Sequence, residues 1–216
     1  FGANGHGGGV VTTDPMNTGG AMSAMTVEFT ILAGTQVATS GIHGATFFSY
    51  ATPSDSDVSY LWNPDNLTFR VGGHEYQTGV RMPSDGHDHR VTSIWDGSTG
   101  SYDLLIDGHV AAHLDNVGRG ATIGANGKFL LGNDQDSFGG GISDNDGYKG
   151  KIFDAAVATR AVPAADLADV ALGIRLQGDP ALLLNARMDS SGQLHDATGH
   201  SRLSILGAVT STTVNV

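Results

Sequence analysis

Frequent glycines divide this chain into short apolar segments, and this feature constrains the fold more than any other. The 216 residues include 32 glycines. Segments such as MTVEFTIL (Met25–Leu32) alternate apolar and polar residues or are rich in β-branched and aromatic ones, which is typical of strands. Asp107 and Gly108 follow one such segment and predict a hairpin, because both residues tolerate the positive φ of a type I′ turn. The pattern predicts an all-β fold, a two-sheet antiparallel sandwich.

One segment, VPAADLADVALG, indicates a helix instead. Pro163 suits a first helical turn, Leu167 and Leu172 have roughly helical spacing, and Gly173 is a typical helix stop. We therefore expect one short helix. Residues 181–208 then predict two strands separated by a loop of Asp, Ser and Gly.

Length and composition predict a single sandwich domain. With 39% hydrophobic residues the chain can bury one sizeable core, which we assign to residues 25–216. Residues 1–24, rich in Gly, Thr and Asn, are expected to be an irregular lead-in. The chain begins at Phe1 without a signal-peptide pattern, so we expect a mature or excised piece of a longer protein.

The charge balance excludes some classes of partner. The net charge is -11, with 22 acidic and 11 basic residues, whereas nucleic acids and anionic membranes are bound by clustered Lys and Arg. No run of about eighteen apolar residues predicts membrane insertion. Cysteine is absent, so neither disulfides nor thiolate metal sites are available. The acidity suits binding of hard cations, or solubility alone.

The most acidic stretch is LGNDQDSFGGGISDNDGYKG, from Leu131 to Gly150. Calcium prefers six to eight oxygen ligands, and carboxylates that lie close together repel one another unless a cation lies among them. Asp and Asn between glycines are also common in solvated turns. The residue types alone leave a calcium loop and a solvated turn as equal alternatives.

Several segments resemble the pentraxins, in the wider group of laminin-G-like and concanavalin-A-like jelly rolls. LGNDQDSFGGG and the following YKGKIFD resemble the pentraxin calcium loop. FFSYAT, FRVGGHE, HRVTSIWDGSTGSYDLLIDG and GRGATIGANGKFLLG occur upstream in pentraxin order and near-pentraxin spacing. The similarity covers roughly residues 25–172. It implies a jelly-roll sandwich that binds Ca²⁺.

The resemblance also implies the calcium ligands, residue by residue. The matching positions are Asp57, Asp134, Gln135 through its backbone carbonyl, Asp136 and Asp146, where the family has glutamine; Asp55 could replace a missing ligand by a one-residue shift. The family's glutamate for a second calcium falls on Ser143, with Asp144 adjacent, so a second ion stays open. The family's cysteine pair is missing, with Val91 at one of its positions, and ring assembly is not assumed.

A ligand pocket is implied beside the calcium. Trp62 matches an apolar wall and Glu75 an acidic residue at the other end of the pocket, whereas Arg70 replaces a small residue between them. Trp95 is expected in the core. Whether Trp62 belongs to the core or to the pocket stays open, because aromatic residues are intermediate in burial.

These observations favour calcium-dependent recognition of a carbohydrate or other polar or anionic small ligand. The protein would be secreted or at the cell surface, with neighbouring domains in a larger chain. A calcium-stabilised structural or adhesion domain is the alternative. A glycan-active enzyme is less favoured, because Glu28 and Glu75 are the only glutamates and neither lies in a glycosidase carboxylate motif. A metal role for His87 and His89 is also disfavoured, because H-x-H alone lacks further ligands.

Overall fold

The computed structural model describes residues 2–32, 45–191 and 193–210, and these form fourteen strands, one 3₁₀ turn and one helical turn. The strands are β1 (Gly2–Thr12), β2 (Ala24–Leu32), β3 (Phe48–Thr52), β4 (Asp55–Trp62), β5 (Thr68–Val71), β6 (His74–Gln77), β7 (Asp88–Asp96), β8 (Ser101–Ile106), β9 (His109–Leu114), β10 (Lys128–Leu131), β11 (Lys151–Ala158), β12 (Leu182–Met188), β13 (Leu194–Asp196) and β14 (Leu203–Thr210). The 3₁₀ turn covers Ala164–Leu167, and the helix α1 covers Leu172–Arg175.

The strands pair as two seven-stranded antiparallel sheets. The first sheet has the order β6-β5-β4-β3-β10-β1-β14, and the second has the order β13-β12-β11-β2-β7-β8-β9. A single pairing, of Gly2 with Lys151, joins them into one hydrogen-bonded network. This arrangement confirms the predicted all-β jelly-roll sandwich.

Aromatic residues from both sheets fill the core between them. Phe29 of β2 stacks on Phe47 at 5.6 Å, and Phe69 of β5 stacks on Tyr102 of β8 at 4.5 Å. Trp95 is fully buried, and its indole Nε1 donates to the carbonyl of Val117 at 2.9 Å. The expected core position of Trp95 is therefore confirmed.

The helical segment packs on the outer face of the second sheet over a smaller apolar cluster. The cluster contains Ile94, Leu105, Ala156, Ala158, Val162, Leu167, Leu172, Leu176 and Leu182. Gly173 does not end the helix as predicted but lies inside α1. A Cβ at Gly173 would lie 2.6 Å from Oδ1 of Asn185, so the close approach of α1 to β12 requires glycine.

The expected irregular lead-in is wrong for nearly half of its length, because Gly2–Thr12 forms β1. This strand pairs with β14 and β10, in register Val10 with Leu131. The C-terminal segment also differs from the prediction, since β13 adds a third strand between β12 and β14. The predicted hairpin turn is confirmed, with φ of 52° at Asp107 and 78° at Gly108. Within the described part of the chain, none of the helices has the length and apolar character needed to cross a bilayer.

Candidate functional site

The acidic loop, residues 132–147, connects β10 to β11 and is held at both ends by backbone hydrogen bonds. The amide of Tyr148 donates to the carbonyl of Gly132 at 2.9 Å, so the two ends of the loop meet. The amide of Thr46 donates to the carbonyl of Asp146 at 2.8 Å. These contacts place the loop at the end of β10, next to the segment that leads into β3.

Two buried amide side chains fix the first limb of the acidic loop. Asn133 accepts from the amide of Asp134 at 2.8 Å through Oδ1, and its Nδ2 donates to the carbonyl of Ser143 at 3.0 Å across the loop. Gln135 is fully buried, and its Nε2 donates to the carbonyl of Lys128 at 3.0 Å. The hydrogen bonds of these two buried side chains therefore fix the conformation of the first limb of the loop.

Further contacts of Gln135 show how it could serve a metal. Its Nε2 also donates to the carbonyl of Ser49 at 3.2 Å, and its Oε1 accepts from the amide of Gly139 at 2.9 Å. The side chain is therefore committed to structure. Only its backbone carbonyl suits the ligand role that the family pattern implies.

Three carboxylates from β4 and the acidic loop act electrostatically on a fourth, Asp134. Asp134 is half-buried, and burial raises its pKa to about 6. The amide of Gln135 lowers this pKa, while the charges of Asp57, Asp136 and Asp146 raise it further. These carboxylates therefore share one neighbourhood, although they come from separate parts of the sequence.

Asp57 links this neighbourhood to the first sheet. Burial raises its pKa, Arg70 lowers it, and Asp55 and Asp136 raise it. Oδ1 of Asp55 accepts from the amide of Asp57 at 2.9 Å, so that Asp55 turns back on its own strand. Asp55 and Asp57 therefore lie next to each other at the start of β4, and the latter acts on the acidic loop.

The carboxylates of this site do not converge on one common point. Across residues 2–32, 45–191 and 193–210, no three His, Cys, Asp or Glu side chains lie close enough to hold a metal ion. Asp136 and Asp144 are exposed. The donor set nevertheless fits a hard cation, since it consists of carboxylate and backbone oxygens. Closing a shell would need side-chain movement.

Ser143, at the position of the family's second-ion glutamate, has a structural role. Its hydroxyl accepts from the amide of Asn145 at 3.1 Å, and its carbonyl accepts from Asn133. A hydroxyl in a turn supplies less charge than a carboxylate. This substitution weakens the case for a second ion.

A row of three side chains crosses the first sheet beside Asp57. Tyr60 of β4 pairs with Arg70 of β5, which pairs with Glu75 of β6. The Tyr60 hydroxyl donates to Oε1 of Glu75 at 2.8 Å, and the Arg70 guanidinium lies 5.5 Å from the centre of the Tyr60 ring. Nε of Arg70 donates to the carbonyl of Asp57 at 3.1 Å. The structure thus brings together Asp57, Arg70 and Glu75.

Tyr60 is a candidate that the sequence analysis missed. Leu61 points into the core, so Tyr60 and Trp62 share the outer face of β4 by strand alternation. This alternation in VSYLW could have identified it. Trp62 is half-buried, at the far end of β4 from Asp57, so Tyr60 lies nearer the acidic loop.

His89, one of the two histidines of the H-x-H pattern, has a structural explanation. The ring of His89 lies between two carboxylates, with Nδ1 at 2.7 Å from Asp107 and Nε2 at 3.0 Å from Asp85. Burial lowers the pKa of His89, but the two hydrogen bonds outweigh it and the pKa is raised. Both ring nitrogens are thus occupied by carboxylates.

A pocket of about 300 Å³ lies between α1, β12 and the loop after β13. It shares no lining residue with the acidic loop or with the Tyr60 row. Asp179 is the one carboxylate among the described residues that line it, and it pairs with Arg160 at 3.2 Å. This pocket therefore lacks the two facing carboxylates of a retaining or inverting glycosidase.

The sandwich thus carries the acidic loop beside an aromatic and charged face. Residues 22–180 match the sequence model of the Pentaxin family. The chain belongs to the pentraxin family.

Individual relatives agree with this assignment. C-reactive protein of Mus musculus is 32% identical over 128 residues, which cover 58% of this chain and 56% of that protein. Pentraxin-4 of Homo sapiens is 28% identical over 134 residues, covering 59% of this chain and 28% of that protein. The matched region thus spans about half or less of these relatives.

Solved structures show the same fold at low sequence identity. A heptameric SAP-like pentraxin of Limulus polyphemus has a TM-score of 0.65 and 19% identity, covering 94% of this chain and 89% of that chain. A Bacteroides ovatus protein described as a carbohydrate-binding candidate has a TM-score of 0.63 and 17% identity, covering 94% and 58%. The extracellular region of zebrafish Gpr126 has a TM-score of 0.61 and 15% identity, covering 95% and 26%.

Proposed function

We propose that this chain is a calcium-dependent ligand-recognition module that binds carbohydrate. The observation that carries the proposal is the combined effect of three carboxylates on a fourth: besides burial, the charges of Asp57, Asp136 and Asp146 raise the pKa of the half-buried Asp134. Mutual repulsion of this kind is relieved by a cation. The family membership supports the same conclusion, because pentraxins are calcium-binding recognition proteins rather than enzymes.

The calcium would be held by Asp57, Asp134, Asp136, Asp146 and the backbone carbonyl of Gln135. Asp55 and Asp144 are further candidate ligands: Asp55 accepts from the amide of Asp57, and Asp144 is adjacent to Ser143 in the acidic loop. A bound calcium supplies positive charge and coordination places that ligand oxygens can fill. The protein's own contribution is to present these oxygens from a loop fixed by Asn133 and Gln135.

The ligand would lie across the outer face of β4, β5 and β6. Trp62 offers an apolar ring surface, on which the apolar face of a sugar can stack. Arg70 and Glu75 offer hydrogen bonds of opposite charge that fix the orientation of the ligand. The likeness to the Bacteroides ovatus structure is consistent with a carbohydrate as ligand.

The setting would be extracellular. The C-reactive protein relatives and the extracellular region of Gpr126 suggest a secreted or surface protein, in which neighbouring domains accompany this one. Weak calcium sites fill at the millimolar concentrations outside cells. We propose no nucleic-acid partner, because the net charge is -11.

A glycan array probed with the protein in calcium and again in chelator tests this proposal. Binding that appears in calcium and disappears in chelator is expected, and Asp134→Asn should behave in calcium as the wild type does in chelator. Binding that is unaffected by chelator would contradict calcium dependence. If calcium raises the melting temperature but no glycan binds, the structural or adhesion alternative is favoured.

A further inference from the structure

We propose that Arg70 makes the site selective for an acidic saccharide, one that carries a carboxylate such as a uronic acid. This inference rests on the proposed function and names its ligand class. It comes from the position of one guanidinium beside the acidic loop.

Two contacts fix the Arg70 side chain. Its guanidinium lies over the Tyr60 ring at 5.5 Å, and its Nε donates to the carbonyl of Asp57 at 3.1 Å. Stacking on an aromatic face and a hydrogen bond at Nε together restrict the orientation of the planar group. The two terminal nitrogens are then held on the outer face of β5 with little freedom left to lose on binding.

The charge of Arg70 lowers the pKa of the nearby Asp57 but, among the described residues, is not held in an ion pair. Among the described residues, Glu75 is its cross-strand neighbour, but the contact that Glu75 makes is with the hydroxyl of Tyr60. No carboxylate of the described part of the chain forms an ion pair with Arg70, whereas Arg81 nearby in sequence pairs with Asp65 at 2.8 Å. The guanidinium thus keeps its charge available to a ligand.

The chemistry of the guanidinium selects the ligand. Its planar donors match a carboxylate in a two-point, charge-assisted arrangement, which is about twice as strong as a neutral hydrogen bond. A neutral sugar could make only the weaker bonds. A cationic group such as a quaternary ammonium would be repelled by the charge of Arg70, which replaces the small residue of the family pattern.

The test compares two sugars that differ only at carbon six, methyl glucuronide and methyl glucoside, by calorimetric titration in saturating calcium. We expect the wild type to bind the glucuronide about tenfold more tightly, as a charge-assisted hydrogen bond implies. Arg70→Gln should bring the two affinities together, and Arg70→Lys should give an intermediate preference because it keeps the charge and loses the fork. Arg81→Gln, a change at an exposed arginine outside the Tyr60 row, is the matched control and should keep the preference.

Several outcomes would overturn the inference. They are equal binding of both sugars by the wild type, or an undiminished preference in folded Arg70→Gln. Chelator-sensitive binding to neutral glycans without acidic preference would refute this inference and leave the proposed function standing. Absence of chelator-sensitive binding to any glycan would refute both.

Discussion

The hydroxyl of Tyr60 donates a 2.8 Å hydrogen bond to Oε1 of Glu75, which joins β4 to β6 across the intervening strand β5. Burial raises the pKa of Tyr60, and the hydrogen bond to Glu75 raises it further. The hydroxyl therefore stays protonated and donates at all physiological pH values. Tyr60 thus holds the Glu75 carboxylate through its hydroxyl and contacts the Arg70 guanidinium through its ring.

Removing this hydroxyl should weaken ligand binding more than folding. Tyr60→Phe keeps the ring under Arg70 but frees Glu75, so we expect ligand affinity to fall several-fold. The free energy of unfolding should change by no more than about 1 kcal/mol, because the bond lies at the surface. Calorimetric titration with the best array glycan and a denaturant melt provide the two readouts. Wild-type affinity in Tyr60→Phe would show that the hydrogen bond between Tyr60 and Glu75 has no part in ligand binding.

The two tryptophans should respond differently to truncation. Trp95 is fully buried and donates to Val117, so Trp95→Ala should destabilise the domain by about 3–5 kcal/mol through a cavity and a lost hydrogen bond. Trp62 is half-buried on the outer face. Trp62→Ala should cost less stability and abolish glycan binding while calcium binding persists.

Urea unfolding and glycan titration of the two variants form a matched comparison. Equal destabilisation by both changes would show that Trp62 contributes as much to the stability of the fold as the core residue Trp95. Unimpaired glycan binding by Trp62→Ala would remove the indole from the ligand site.

The strands could be predicted from sequence where side chains alternate or a turn has distinctive residues. Apolar and polar residues alternate in Met25–Leu32, which lies in β2, and Asp107 and Gly108 adopt the positive φ values of a hairpin turn. Strand β1 could not be predicted, because glycines leave no side-chain pattern to read. Its structure comes from tertiary pairing, and at Gly9 a Cβ would lie 2.7 Å from the carbonyl oxygen of Leu131.

The candidate site shows the same division between local signal and tertiary context. The acidic loop was evident from its composition, and the ligands proposed for it come from a family pattern. The contact of Asp55 with Asp57, the buried role of Gln135 and the Tyr60 row depend on cross-strand register and on side-chain burial. These contacts cannot be predicted from a single sequence, because the residues that form them are brought together only by the fold.

Stability should depend on pH through His89. Its folded pKa is raised above the ordinary value by Asp85 and Asp107 despite the opposing effect of burial. Its contribution is therefore fully present below about pH 6.5 and is lost as pH rises through the raised folded pKa. His89→Gln should flatten this part of the profile of melting temperature against pH.

The expected difference is at most about 1 kcal/mol, because both carboxylate partners are about half exposed and solvent screens the pairs. His113, whose pKa is raised by its hydrogen bond to Asp103, titrates in the same direction. His113→Gln is thus the variant to compare with His89→Gln. The profile of melting temperature against pH should be flattest when both histidines are replaced. A His89→Gln profile with the wild-type slope would show that the histidine contributes nothing.

A second calcium should be recoverable by one substitution. Ser143 supplies only a hydroxyl and a carbonyl where the family pattern has a glutamate, and both are used within the loop. We expect the wild type to bind one ion tightly, and Ser143→Glu to bind a second ion or to tighten a weak one. Equilibrium dialysis with radioactive calcium counts the ions. Two equally tight ions in the wild type would mean that Asp144 or Asp146 already replaces the missing carboxylate.

Calorimetric titration of calcium into chelator-treated wild type, Asp134→Asn and Asp136→Asn tests whether the acidic loop binds calcium. We expect a saturable heat in the wild type that is lost or greatly weakened in both variants, and a melting temperature that calcium raises only in the wild type. A hundredfold excess of calcium over its dissociation constant would stabilise the fold by about 2.7 kcal/mol. No heat in the wild type, or variants that titrate and melt as the wild type does, would contradict calcium binding by the acidic loop.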